Sequence, residues 1–149
     1  MQEGSRRDRF MVDIRRPVIW ECLETIISIL YFVCYFHYES MTFHASYLAA
    51  FLCAFLRVGE FMIQRKGDDL NKVIARDDIK FCSGPKGSLL VRIRFTKTDQ
   101  YGQGIMINIG SNGIDEKCPV KAMKAYFRVR PDIDGPLFCH RDGAPVSRY

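Results

Sequence analysis

The sequence predicts an α+β domain in which buried helices pack on a three-stranded antiparallel sheet, with a further helix after the sheet. Up to residue 58 the apolar positions follow a helical pattern, whereas between residues 88 and 109 they alternate with a period of two. The segments that join the alternating stretches are short and turn-rich, which favours hairpin connections and antiparallel strands. With 149 residues, 48% hydrophobic and 26% charged, the chain suits one domain with a substantial core.

The first part of the chain predicts an arm followed by two helices. Residues 1–16 are polar and Arg-rich, typical of a loose arm or linker. Pro17 suits the first turn of a helix that should run to about Tyr35. After a short polar break, "HYESMT", residues 43–58 are apolar on nearly every side, which indicates a buried central helix with Gly59 as a plausible terminator.

Three strands are expected next, and the first has the weakest pattern. It is "KVIARDDIKF", followed by "SLLVRIRFTKT" and "GIMINIG". In the second strand the odd positions from Leu89 to Phe95 are apolar, whereas Arg92 and Arg94 form a basic outer face. The third strand alternates in the same way and places three isoleucines on one face, namely Ile105, Ile107 and Ile109.

The last predicted element is a helix in "CPVKAMKAYFRVR". Pro119 lies in its first turn, and Pro131 stops it. Val120, Met123 and Phe127 share one face of this helix. The remaining tail carries turn signals, and no closing element is predicted there.

The charge distribution is compatible with a polyanionic partner. The net charge is +5, and residues 72–100 hold seven bases against three acids. Residues 117–149 repeat that balance. A basic excess of this size fits nucleic acid, although a solvated basic surface explains it equally well.

Cysteine usage and hydropathy argue against several classes of protein. None of the six cysteines forms a CxxC pair, which favours a reducing compartment over a disulfide scaffold. Cys118, Cys139 and His140 are the only conceivable metal group, but their spacing matches no zinc pattern, so no metal or other cofactor is expected. The apolar runs at 26–36 and 45–56 are both short of the about 20 residues needed for a membrane span, and no targeting segment is visible.

Two cations stand where the predicted core meets the surface. Arg57 ends the buried helix. Lys97 falls on the same side of the predicted strand as the apolar residues Leu89–Phe95, the side expected to face the core. Arg57 could simply be a C-terminal helix cation paired with Glu60, and Lys97 could lie in a turn beyond the strand. A shared phosphate is the alternative, with Arg as a bidentate clamp and Lys as a point charge and proton donor.

Several of these segments, taken in order, resemble the tyrosine recombinase (phage integrase) superfamily. They are "FLRVGE", "RFTKTDQYGQG", "CPVKAMKAYFRVR" and "GPLF", and they are most similar to eukaryotic, transposon-borne members such as the Cryptons. The resemblance spans roughly residues 15–149 and implies that residues 17–149 are the N-terminal half of a catalytic domain. Members of the family integrate and recombine DNA by breaking and rejoining strands through a phosphotyrosine, without a metal or high-energy cofactor.

The resemblance also implies roles for individual residues. Arg57 would clamp the scissile phosphate, Glu60 would support that arginine, and Lys97 would be the general acid. Further DNA contacts are expected from the basic strand face and the first turn, at Lys86, Arg92 and Arg94. A solvated strand face is the alternative for these three residues.

The family's remaining catalytic groups have no counterpart in this sequence. None of the three histidines begins a His-x-x-Arg motif, and Tyr149 precedes the place where that motif should fall. We therefore expect a truncated domain without strand cleavage of its own, and whether to class it as an enzyme stays open. The expected partner is duplex DNA, bound by a single chain or by a homo-oligomer, with no membrane and no small-molecule substrate. The expected location is nuclear if the source is eukaryotic and otherwise cytoplasmic.

Two alternatives remain open beside this interpretation. A domesticated, non-catalytic DNA-binding or interaction module would use the basic face without chemistry. A product that never folds stably is the other, because missing helices would leave apolar surface exposed.

Overall fold

The computed structural model describes residues 20–34, 37–46, 58–65, 67–95, 99 and 101–147. Within them the chain forms an α+β fold with a three-stranded antiparallel sheet, as predicted. The helices are α1 (Trp20–Cys34), α2 (Tyr38–Ala45), α3 (Val58–Phe61) and α4 (Pro119–Val129). The strands are β1 (Ile79–Cys82), β2 (Ser88–Ile93) and β3 (Ile105–Gly110). None of the described helices has the length and hydropathy that a bilayer crossing requires.

Helix α1 ends within one residue of its predicted end, but the polar break after it is wrong. Most of "HYESMT" belongs to α2, and only His37 before it is extended. Tyr38 and Thr42 are buried on one face of α2, and the Thr42 hydroxyl donates a hydrogen bond to the Tyr38 carbonyl at 2.9 Å. Because α2 packs against α4, burial of this face outweighs the polar composition of the segment.

Gly59 does not terminate a helix, contrary to the sequence prediction. It lies inside α3, which continues to Phe61. The Phe61 ring is buried and meets Phe138 edge to face, with 5.9 Å between ring centroids. The apolar stretch at 47–57 lies outside the described residues, so the predicted central helix is described only at 43–46 and 58.

The sheet has the predicted meander topology, in the order β1-β2-β3. Leu89 of β2 lies opposite Phe81 and Ile109, and Val91 lies opposite Ile79 and Ile107. This register gathers the apolar residues on one face, which covers a core shared with α2 and α4. The alternation read from the sequence is thus confirmed for β2, where Leu89, Val91 and Ile93 are all buried.

The first two strands, β1 and β2, are shorter than the sequence pattern predicted. The first strand begins only at Ile79, because residues 76–78 form a 3-10 turn in which Asp78 accepts a hydrogen bond from the Ala75 amide at 2.8 Å. Strand β2 ends at Ile93, and Phe95 is 49% exposed instead of buried. In β3 only Ile109 is buried, and Ile105 is 47% exposed although its partner Ile93 in β2 is buried, because β3 is the edge strand of the sheet.

Helix α4 has the predicted start at Pro119, and its last residue precedes Arg130. In the described part of the tail no helix or strand follows α4, in line with the turn signals of the sequence, but the sequence did not indicate that this tail is buried. Leu137, Phe138 and Cys139 are all buried. Backbone bridges pair Ala75 with Pro136, Cys139 with Pro145 and Ile63 with Ser147.

Two tyrosine hydroxyls fasten this tail to the helices. Tyr38 Oη donates to the Cys139 carbonyl at 2.7 Å, and Tyr126 Oη donates to the Leu137 carbonyl at 3.0 Å. The Cys139 amide donates in turn to Tyr126 Oη at 3.2 Å. Burial raises the pKa of both phenols, so they stay neutral hydrogen-bonding groups. The tail is therefore a part of the core.

Candidate nucleic-acid interface

The two cations expected to share a phosphate, Arg57 and Lys97, lie outside the described residues, as does Tyr149. The structure does describe the elements that neighbour Arg57 and Lys97 in the sequence. Helix α3 begins at the residue after Arg57, and Lys97 belongs to the segment that joins β2 to β3. Glu60 is half-buried in α3, and its carbonyl accepts a hydrogen bond from the Ile74 amide at 3.0 Å. This bond ties α3 to the chain that leads into β1.

The outer face of the sheet carries exposed basic residues from two strands and a turn. We call Lys80 of β1, Lys86 of the β1–β2 turn and Arg92 of β2 the basic sheet face. Arg92 lies opposite Met106, which is 53% exposed. Among the described residues none of the three cations has a carboxylate within ion-pair distance, so their charge faces solvent.

The sheet region contains far more basic than acidic residues, which makes its surface more positive. Between residues 79 and 114 the sequence contains five bases and a single acid, Asp99. Lys80 lies opposite Leu90, and Leu90 lies opposite Asn108, so the row across the sheet is uncharged apart from the lysine. A surface with exposed cations and almost no acids attracts polyanions.

Arg94 has a different environment from the one expected of a DNA-contacting residue. It lies beyond the end of β2, half-buried, and its Nε is 2.6 Å from Asp78 Oδ2. The Asp78 side chain is only 4% exposed. A buried carboxylate requires such a partner, and loss of either member would leave the other uncompensated. The ion pair therefore anchors the start of the β2–β3 connection, while a DNA contact by Arg94 stays a prediction.

Asp99 organises the rest of that connection. Its Oδ2 accepts a hydrogen bond from the Gly104 amide at 2.7 Å, and its Oδ1 accepts one from the Tyr101 amide at 3.2 Å. These backbone donors, Gly104 first among them, lower the pKa of the Asp99 carboxyl, so it is charged at neutral pH. Asp99 was not among the sequence-predicted site residues, although an Asp followed by glycines is a turn signal.

Gly104 closes the same connection against the end of β2. Its φ is +72°, and a Cβ at this position would lie 2.6 Å from the Ile93 carbonyl oxygen. Gly102 also has a positive φ of +64°, but a Cβ there would meet nothing within 4 Å. The two glycines thus share a backbone conformation and differ in steric space.

That difference makes a stability prediction. We expect Gly104→Ala to lower the free energy of unfolding by about 2–3 kcal/mol, since it adds a clash with backbone to the cost of the left-handed conformation. Gly102→Ala, the matched control, should cost only about 1 kcal/mol. Urea unfolding of both variants measures the difference, and equal losses would show that the close approach to Ile93 is not a constraint.

A cavity of about 300 Å³ lies beside α3, and one of its lining residues, Gly59, follows Arg57 by two residues in the sequence. Gly59, Met62 and Lys72 contribute to its lining, together with two carboxylates, Asp68 and Asp69. Asp68 Oδ2 accepts hydrogen bonds from the Gln64 and Arg65 amides at 3.1 and 2.8 Å. Two acids make this described part of the cavity unfavourable for a phosphate, so the basic sheet face is the better candidate interface.

Comparison of the chain with protein-family models, curated proteins and solved structures gives no match. The four cysteines whose side chains are described, Cys22, Cys82, Cys118 and Cys139, are free thiols. In the described parts of the chain no three His, Cys, Asp or Glu side chains group as metal ligands would. The candidate interface therefore rests on charge and geometry alone.

Proposed function

We propose that this chain is part of the DNA-binding catalytic domain of a tyrosine recombinase, and that its own contribution is to bind duplex DNA. One observation carries the proposal. The sheet presents three exposed cations on one outer face and its turn, and the stretch of residues 79–114 contains Asp99 as its single acid. Cations without carboxylate partners release counterions from DNA when they meet phosphates, which is the main source of sequence-independent affinity.

The order of the elements supports the recombinase interpretation. A helical turn containing Glu60 follows Arg57 directly, and a three-stranded meander comes next. Lys97 belongs to the β2–β3 connection, where the family resemblance expects the general acid, and α4 follows the sheet. In this proposal Arg57 and Lys97 bind one phosphate, and Glu60 orients the arginine.

The second candidate is a non-catalytic DNA-binding or interaction module. The observation that favours it is that the exposed cations Lys80, Lys86 and Arg92 need no catalytic group in order to bind DNA. Both candidates use the same basic sheet face. They differ in chemistry, because only a complete set of catalytic groups can form a covalent phosphotyrosine. We propose that the chain alone binds DNA reversibly, and a covalent adduct with a nicked duplex would contradict this part of the proposal.

A charge-matched comparison of variants tests the interface. Replacing Lys80, Lys86 and Arg92 together by Ala should weaken binding to duplex DNA by about tenfold or more at 0.1 M salt, because phosphate contacts are lost. The loss should be equal for two duplexes of unrelated sequence, since phosphate contacts carry no base information. Fluorescence anisotropy with labelled duplexes measures both quantities.

The control removes three positive charges from the exposed side of α4, at Lys121, Lys124 and Arg128. This variant has the same net charge as the first but keeps the basic sheet face. We expect its affinity to stay within about threefold of the original chain, because charges away from the contact act only through the long-range field. Equal losses in both variants would overturn the assignment of the interface to the sheet.

A further inference from the structure

We infer that the outer edge of strand β3 pairs with the same edge of a second copy of this chain, in an antiparallel seam that joins two sheets into one of six strands. β3 is the last strand of the sheet, and its only strand partner among the described residues is β2. In the same part of the chain no loop or turn forms a backbone hydrogen bond with residues 105–110. The outward amides and carbonyls of this edge are therefore open to a further strand.

The two edges of the sheet differ in their protection against such pairing. β1 is four residues long and carries the exposed Lys80, and both a short strand and a lysine discourage pairing with another chain. β3 is six residues long and contains no charged residue. Pairing between copies is thus disfavoured at β1, whereas at β3 two identical strands can approach without charge repulsion between their side chains.

The exposed side chains of β3 match a second β3 strand. Ile105 is 47% exposed although Ile93, its partner in β2, is only 4% exposed. A two-fold axis through Ile107 would place Ile105 beside Ile109 of the second copy, on the side of the sheet that covers the core. The same axis keeps the core-facing sides of both copies together. The occupant that this edge fits is therefore a second copy of the strand itself.

The seam is small, which sets the expected strength of the dimer. One pair of strands buries less than the roughly 1,600 Å² of a standard protein interface. Each chain also carries a net charge of +5, which opposes association over a longer range. We therefore expect a weak dimer, with a dissociation constant on the order of 10 µM.

The seam does not rest on the proposed function, but it would extend the surface on which that function depends. Opposite residues of antiparallel strands point to the same side, so the basic sheet faces of both copies would form one surface. The two β2 strands, each with its exposed Arg92, would lie three strand spacings apart, about 14 Å. That separation would place cations on both sides of a major groove, which is about 12 Å wide.

Sedimentation velocity of the whole chain between about 1 and 200 µM tests the inference, in reducing buffer because Cys82 is an exposed free thiol. We expect a shift from monomer to dimer across this range. Amide hydrogen exchange at the two concentrations locates the seam in the unchanged chain. Exchange in β3 should slow at the higher concentration, whereas exchange in β1, the opposite edge, should not change.

A matched pair of variants tests the seam chemically. Ile105→Lys should weaken the dimer at least tenfold, because a lysine at the edge brings charge against the apolar seam. Ile29→Lys makes the same change at an isoleucine of α1 that is 51% exposed, and it should leave the dimer unchanged. Circular dichroism of both variants checks that they fold.

The outcomes separate this inference from the proposed function. A chain that is still monomeric at 200 µM overturns the seam, and so does a dimer that forms without slower exchange in β3 or that Ile105→Lys leaves intact. If such a monomer binds duplex DNA, the proposed function stands. If the dimer forms through β3 but does not bind duplex DNA, the seam stands and the proposed function is overturned.

Discussion

Arg130→Ala is expected to lower the free energy of unfolding by about 3–5 kcal/mol, the largest stability effect that we predict for a single substitution. Arg130 follows α4 directly, is only 6% exposed, and carries a permanent charge. Its guanidinium donates to four backbone carbonyls of the loop that follows, at distances of 2.7–3.0 Å, namely those of Pro131, Ile133, Pro136 and Leu137. Alanine would remove the guanidinium donor from all four carbonyls, and among the described residues only the Leu137 carbonyl would keep a second donor, the Tyr126 hydroxyl.

The reason for the size of the effect is the number of acceptors that one side chain satisfies. Each charge-assisted hydrogen bond is worth about 1.5–3 kcal/mol in isolation, but the four share one group and are not additive. Leu137 also accepts a bond from Tyr126, so the loop and the core are joined at the same carbonyl. Loss of Arg130 would therefore loosen the tail that carries Phe138 into the core.

Two further variants define the measurement. Arg128→Ala removes an exposed arginine from the end of α4, two residues before Arg130, and should change stability by less than about 0.5 kcal/mol. Arg130→Lys keeps the charge but offers one nitrogen in place of a planar fork, so it should recover only part of the loss. Urea denaturation gives all three values. If Arg130→Ala lowers the free energy of unfolding no more than Arg128→Ala does, the hydrogen bonds from Arg130 to the four carbonyls do not hold the tail.

The parts of the fold that sequence patterns predicted well are those with local signals. The period of two in β2 placed Leu89, Val91 and Ile93 in the core, and short connections predicted an antiparallel meander. Pro119 and Pro131 bracketed α4 because proline constrains the backbone on its own. In each case the physical cause lies within a few residues of the effect.

The wrong predictions depended on contacts that are distant in sequence. Tyr38 was assigned to a polar break, yet its hydroxyl meets the Cys139 carbonyl 101 residues away. The tail looked like a series of turns, yet Phe138 packs on Tyr126 and Phe61. Tertiary burial determines the conformation of both segments. The composition of a short stretch does not reveal which distant surface that stretch will pack against.

The candidate site shows the same division. Arg92 was predicted to face outward from strand parity, and it does. The parity of Arg94 gave no sign of its partner, since Asp78 comes from the 3-10 turn before β1. Lys80 was not singled out because the first strand was predicted too long and its outer face was not defined. Arg57 and Lys97 lie outside the described residues, so their shared phosphate remains a proposal.

Binding to duplex DNA is expected to weaken about 100-fold when the salt concentration rises from about 50 to 200 mM. The reason is that about four phosphate contacts, from the basic sheet face and Lys97, would release their counterions. The logarithm of the affinity should then fall with the logarithm of salt at a slope of about −3.6. Neutral hydrogen bonds or apolar contacts alone would give an affinity that hardly responds to salt.

A salt titration of duplex binding tests the central claim most directly, with the sheet variant and the α4 variant measured beside the unchanged chain. We expect the slope of about −3.6 for the unchanged chain, a slope closer to zero by about three when Lys80, Lys86 and Arg92 are replaced, and little change when the α4 cations are replaced. A chain that does not bind duplex DNA at low salt, or a slope that the sheet variant leaves unchanged, would contradict the account.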